Sequence, residues 1–342
     1  MHWVRDSPSH ITDDERHAQL PDRLLPPRSG RPAERQPACR RQVPGVSSCS
    51  LTARLGALLL GALPAGAVFA AAPSPMIDAH SHYTAADAEA FTPADIVATL
   101  DAAGVSRIVV TGTPPEAAQA LYCHAPERVL PFLGVYASAF EKATWMHNAQ
   151  LPQRVRGQLA TGHWVGIGEL HLFARDARSP VFEALVGIAV EQGLMLMIHG
   201  DAEVIDRVFA LAPTARVLWA HLGTVPLPGL VDDTLSRHRN HALWVDTSVR
   251  DERIAPAGVL LDEWRGLFER HPERFVVAVD AFSTQRWKRY GEVVTTIRTW
   301  VDGLPPALAR RLLHDNAAAM LERRPGLAPE ARVRCTEAAG GR

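Results

Sequence analysis

From residue 76 onward the chain alternates short apolar runs with longer stretches patterned as helices. The runs are Met76–His80, Ser106–Thr111, Val129–Val135, Val165–Leu170, Leu194–His199, Arg216–His221, Leu243–Thr247 and Phe275–Asp280. Each is nearly continuous in its apolar character, as expected of strands buried on both faces of a parallel sheet. Helix-start chemistry lies between them. Thr92-Pro93-Ala94-Asp95 sets a capping hydroxyl, a first-turn proline and an N3 carboxylate in order, and Gly104 stops that helix. Thr113-Pro114-Pro115-Glu116 repeats the device, and Ser179-Pro180 opens a helix that runs to Gly193. Eight strand–helix units in roughly 250 residues predict a (β/α)8 TIM barrel over residues 73–325. An open doubly wound sheet is the second choice. It is disfavoured because no glycine-rich phosphate loop follows the first strand.

The pattern is different before residue 73. Residues 1–50 hold eight arginines and seven prolines with no apolar period, so they read as a disordered leader. Arg54 then precedes the uncharged run Leu55–Ala70, which ends on small residues. A basic residue, an apolar run and small residues form a secretory signal, here 51–72, with cleavage near Ala70 or Ala72. The run is short for a membrane span, and its glycines and Pro64 weaken it as a helix. A retained anchor is the alternative, and residues 1–45 can equally precede the true start. The expected location is the periplasm or outside the cell, with no stable membrane span after cleavage. Residues 326–342, rich in Arg, Ala and Gly, read as a flexible tail.

Composition narrows the function. With 47% hydrophobic and 21% charged residues, a large core is available. The net charge is −1, and removal of residues 1–70 leaves 27 basic against 31 acidic residues. No nucleic-acid partner is indicated by that balance. Cys39, Cys49, Cys123 and Cys335 show no C-x-x-C spacing, so neither a thiolate zinc site nor a disulfide framework is expected, and Cys123 reads as a buried small hydrophobe.

The candidate chemistry sits at strand ends. Side chains there converge on one face of a barrel. The last positions of the runs supply His80 and His82, Glu169, His199, His221 and Asp280. His80-Ser81-His82 places two imidazoles on one side of its strand. Alone, such a pair is more often structural. Four histidines and two carboxylates at strand ends together predict a catalytic divalent metal site. Weaker candidates surround it. His171 is two residues past Glu169, and Arg250 and Arg286 are candidates to grip a substrate carboxylate. Asp201 reads as a helix cap, with orientation of His199 as the alternative, and Asp78 as lying on the side of His80, deeper in the barrel. Trp219 and Trp244 read as packing.

Met-Ile-Asp-Ala-His80-Ser-His82, Gly-Ile-Gly-Glu169, Met-Ile-His199-Gly, Trp-Ala-His221-Leu-Gly and Val-Ala-Val-Asp280 together resemble the ordered motifs of the amidohydrolase superfamily. The match is to its amidohydrolase-related branch, with a strand-four Glu as in TatD-like enzymes, and Asn316-Ala317 fits the final helix. The resemblance implies that His80 and His82 bind one metal with Asp280. Glu169 would bridge to a second held by His199 and His221, while one-metal members leave the number open. It implies zinc as the expected ion and Asp280 as the proton acceptor and donor. The expected activity is metal-dependent hydrolysis of a C–N, C–O or P–O bond in a small molecule. A decarboxylase on the same barrel and a non-catalytic, metal-stabilised binding protein are the alternatives. A homo-oligomer is compatible with the sequence.

Overall fold

The computed structural model describes residues 75–322 and Cys335. The leader, the signal segment and all of the expected tail except Cys335 lie outside the described residues. Eight strands follow one another in chain order: β1 (Met76–Thr84), β2 (Val105–Thr113), β3 (Val129–Leu133), β4 (Gly166–Leu172), β5 (Met195–Gly200), β6 (Arg216–Trp219), β7 (Ala242–Asp246) and β8 (Phe275–Val276). Each pairs in parallel with the next. The ring closes through main-chain bonds. Ala79 N–H reaches Val277 C=O at 3.3 Å, and Asp280 N–H reaches His80 C=O at 2.7 Å. The fold is a (β/α)8 TIM barrel, and the open sheet is excluded.

Strand alternation builds two cores. Ile77, Ala79, Val109, Phe132, Met195, Met197, Leu218, Val276 and Ala278 point into the barrel, where Ala317 and Met320 join them. Their neighbours in sequence, among them Met76, Ile108, Val110, Leu196, Ile198, Val217 and Val277, face the helical layer. Both faces of each strand are therefore buried, at roughly 1.5–3 kcal/mol for each large apolar side chain. The continuous apolar runs of the sequence follow from this.

Two strands change face midway. In β1 the register shifts between Asp78 and Ser81, and in β4 between Ile167 and Leu170. An extra residue in a strand sends every later side chain to the other face. Ile77 and Ala79 point inward, yet His80 and His82 point inward too. On β4, Ile167 and Leu170 both belong to the outer core, so Glu169 and His171 face the interior. Gly168 occupies the shift with φ 139°, where a Cβ would lie 2.6 Å from Met197 O. Only glycine fits there.

The β1 shift corrects the expectation for Asp78. Its carboxylate points to the outer layer and accepts from Tyr290 Oη (2.8 Å), Ser81 Oγ (2.7 Å) and the N–H groups of Val279 (2.9 Å) and His80 (3.2 Å). Burial pushes this carboxyl up to about 6 even so.

The helix signals hold at Thr92, which forms a full capping box with Asp95 before the helix Pro93–Ala103. They hold also at Ser179, which caps the helix Pro180–Gln192. Thr113 differs. It ends β2, and Pro114 is the cap of the helix Pro115–His124 without a side-chain bond. Cys123, in the last turn of that helix, is half-buried and forms a disulfide with Cys335 across 212 residues. The expectations of no disulfide framework and of a buried small hydrophobe at Cys123 are corrected: a bridge between such distant positions has no local spacing signature. Among the described residues no helix is long and apolar enough to cross a membrane.

Candidate metal centre

All six strand-end candidates meet in one cluster at the carboxyl end of the barrel. His80 and His82 leave β1, Glu169 lies on β4 and His199 near the end of β5. His221 follows β6 in a turn with φ 61°, and Asp280 follows β8 with φ 52°. Both non-glycine residues sit in left-handed backbone, a strain that persists only where the surroundings over-determine it. The surroundings here include two arginines. Arg250 donates from Nε to His221 C=O at 2.9 Å, and Arg286 donates from Nε and Nη2 to Val279 C=O at 2.9 and 2.7 Å. These guanidinium groups, read in the sequence as candidates for a substrate carboxylate, brace the two loops that carry His221 and Asp280.

The donors converge. His80 Nε2 lies 3.2 Å from His82 Nε2, and His82 Nε2 lies 3.2 Å from Asp280 Oδ1 and 3.5 Å from Glu169 Oε2. Glu169 Oε1 is 2.8 Å from His199 Nδ1 and 3.1 Å from His221 Nε2. Glu169 thus presents one oxygen to each half of the cluster. His80 is fully buried, and Glu169, His221 and Asp280 nearly so. The side chains of His171 and His199 are 19% and 25% exposed, so solvent reaches the cluster from the β4–β5 side.

Burial opposes the charges of His80, His82, Glu169 and Asp280, and mutual attraction overrides it. Against burial, His171, His80 and His199 hold the Glu169 carboxyl well below the usual carboxylate range. His80, His82 and His221 likewise hold Asp280 low. Asp280 and Glu169 in turn raise His80 and His82, which burial alone would lower. His171 goes the other way, pushed well below its ordinary value by burial despite Glu169.

The donor set suits a divalent cation. Two imidazole Nε2 atoms face each other at hydrogen-bond distance, with oxygens of two anionic carboxylates beside them. Asp280 Oδ1 is buried without a well-formed hydrogen bond among the described residues. Buried carboxylate oxygens are ordinarily satisfied, so this lone pair is available to a ligand. Imidazole and carboxylate are the ligand types of catalytic zinc and its neighbours.

One functional group escaped the sequence reading. Asp246, fully buried at the end of β7, places Oδ2 3.1 Å from His80 Nδ1 and accepts the His221 N–H on Oδ1 at 3.1 Å. Ser248 connects the same Asp246 oxygen to His221 Nδ1, which is 2.8 Å from Ser248 Oγ. With its other nitrogen engaged in this way, each imidazole directs Nε2 at the cluster. The strand-end rule that found Asp280 also covers Asp246, once β7 is seen to stop at residue 246 rather than 247.

Asp201 stands at the N-cap position of the helix Ala202–Leu211, as expected, but its side chain makes no cap bond. Its Oδ2 accepts the Ala174 N–H at 2.8 Å and its Oδ1 accepts from Thr224, tying the loops after β4 and β6. Trp219 is buried and donates to Gly200 C=O at 2.8 Å, while Trp244 packs against the inner core; both are packing residues as expected. Phe140, Phe173 and Phe282 are exposed on the loops after β3, β4 and β8.

A family model described as Amidohydrolase matches residues 76–323. An amidohydrolase from Burkholderia multivorans with bound HEPES is similar in structure, with 13% identity and a TM-score of 0.46, covering 73% of this chain and 99% of its own. A zinc-bound crystal form of an amidohydrolase from the same organism gives 14% identity and a TM-score of 0.45, with the same coverage. Guanine deaminase from Bradyrhizobium japonicum gives 15% identity and a TM-score of 0.41, covering 72% of this chain and 68% of its own. No curated protein matches the chain in sequence.

Proposed function

Since the chain belongs to the amidohydrolase family, we propose that it is an exported, metal-dependent hydrolase in which water attacks a C–N, C–O or P–O bond of a small molecule. The observation that carries this reading is the convergence of His80, His82, Glu169, His199, His221 and Asp280 on one buried point beneath a solvent opening. His80, His82 and Asp280 would hold one zinc ion, and Glu169, His199 and His221 supply donors for a second. When bound, such an ion lowers the pKa of water toward neutrality and polarises the scissile oxygen.

The chain's own residues do the rest. Asp280, kept anionic by the histidines around it, accepts the proton of the attacking water and returns it to the leaving group. Asp246 keeps His80 and His221 aimed, so little reorganisation is needed as the reaction proceeds. Arg250 and Arg286 hold the two loops at fixed height over the barrel. The decarboxylase alternative is separated from hydrolysis by whether carbon dioxide is released. Exposed phenylalanines on three mouth loops favour an organic substrate with an apolar part over a polyanion.

Two features support export. The run Leu55–Ala70 has the form of a secretory signal, and a disulfide such as Cys123–Cys335 persists in an oxidising compartment. The deciding experiment is elemental analysis of the purified protein, followed by a screen of esters, lactones, amides and phosphodiesters. Carbon dioxide release is followed beside proton release. Metal-dependent turnover with proton but no carbon dioxide release is expected. Protein that stays metal-free after zinc is supplied refutes the reading.

A further inference from the structure

Strand β4 offers a second donor that the reading above leaves unused. Glu169 and His171 are two residues apart beyond the register shift and so share the inward face, as His80 and His82 do on β1. His171 is also the register partner of His199 across the β4–β5 ladder. Their rings stack with centroids 4.4 Å apart, and His171 Nε2 lies 3.5 Å from Glu169 Oε2. Single ligand atoms from Glu169, His171 and His199 all fall within 4.8 Å of one another.

His171 is held as tightly as its neighbours. Tyr136, buried after β3, accepts the His171 main-chain N–H on its phenol oxygen at 2.7 Å and lies 3.1 Å from Nδ1. The indole of Trp145 donates to the His171 carbonyl at 2.9 Å. Main chain and ring are therefore both pinned. A histidine meant only for solvent or for passing substrate needs no such frame. Ligation through Nε2 takes the tautomer in which Nδ1–H donates to the phenol oxygen, the orientation that an outer partner gives a ligating histidine.

We infer that His171 is a metal ligand, and that Glu169, His171 and His199 form the donor set of a second divalent cation, with Tyr136 as the positioning residue for His171. The inference rests on the metal-dependent reading above and revises its second site, giving His171 the place assigned there to His221. His221, 3.1 Å from Glu169 Oε1 and 4.0 Å from Asp280 Oδ2, then stands between the two donor sets. The cation class is that of imidazole and carboxylate ligands: zinc, cobalt or manganese.

Cobalt titration of the metal-free full-length protein tests this, read by visible absorption and by bound equivalents. Wild type should take up two equivalents. In His171→Ala and His171→Gln the second should bind about 10–100-fold more weakly, with loss of its absorption band, while the first is unchanged. Tyr136→Phe should keep both ions and shift the second band, which a purely structural role at Tyr136 would not do. Circular dichroism verifies folding, and should the alanine variant fail to fold, the glutamine and Tyr136→Phe variants carry the result. If the histidine variants bind cobalt with wild-type stoichiometry and affinity, whether one ion or two, His171 is no ligand and the hydrolase reading survives. If wild type binds no ion at all, both readings fall.

Discussion

Asp246 and His80 are 166 residues apart in sequence, yet a carboxylate oxygen of one lies 3.1 Å from the ring Nδ1 of the other, both fully buried. This contact decides which nitrogen of His80 faces the cluster. Asp246→Asn keeps the shape but weakens the acceptor, and it should lower metal affinity about 10–100-fold. Competition against a chromophoric chelator measures this. Unchanged affinity would mean that His80 needs no outer partner.

Asp280→Asn separates the two duties assigned to that residue. It retains an oxygen that can ligate but no longer accepts a proton. A fall in kcat of about 10²–10⁴-fold is expected, with folding intact and at least one metal retained. Full metal content with undiminished kcat would move the acid–base role elsewhere, His221 being the first candidate.

The metal-free protein should lose thermal stability as pH rises above 6.5. The pKa values of His80 and His82 are raised in the fold, against the pull of burial, by Asp280 and Glu169. Groups raised by folding stabilise fully below their unfolded value of 6.5, and that contribution is lost as pH climbs through the folded values. Asp78, raised to about 6, adds to the loss at the start of that range, and His171, lowered by burial, opposes it only within about one unit of its unfolded value of 6.5. Glu169 and Asp246, whose values folding lowers, weaken stability only on the acid side. Melting curves of chelator-treated protein from pH 6.5 to 9 should fall steadily. Zinc should remove the decline, because metal binding displaces those protons and strengthens with pH. A flat metal-free profile would count against the charge pairing.

Reducing Cys123–Cys335, or replacing Cys335 by Ser, should cost about 2–4 kcal/mol. The melting temperature should drop by roughly 5–15 °C for a domain of this size. Metal content should not change, because Cys123 lies on a helix of the outer layer and bonds none of the cluster residues. Scanning calorimetry with and without reductant reads the effect.

The barrel was legible because a strand covered on both sides must be apolar at nearly every position, as Val129–Leu133 and Met195–Ile198 are. The cluster was legible because its polar residues interrupt those runs at their carboxyl ends. What stayed hidden depends on residues far apart in the chain. The bond from Asp201 to Ala174, the bridge from Cys123 to Cys335 and the brace from Arg286 to Val279 have no periodicity to betray them. The β1 shift was invisible for another reason. Ile77, Asp78, Ala79 and His80 read as ordinary alternation, and only pairing with β2 shows where the count slips.

Each shift sets the face of a whole pair of donors. If β1 paired with β2 without its shift, the unchanged sequence would turn His80 and His82 together into the helical layer, and regular pairing of β4 would likewise carry Glu169 and His171 outward. The strand below each shift, and the packing it makes, would keep its place. Deleting one residue at either shift would leave both donors inward, because the lost residue and the lost shift cancel. In an engineered barrel, moving the shift past the pair would turn both donors outward without redesigning the core beneath it.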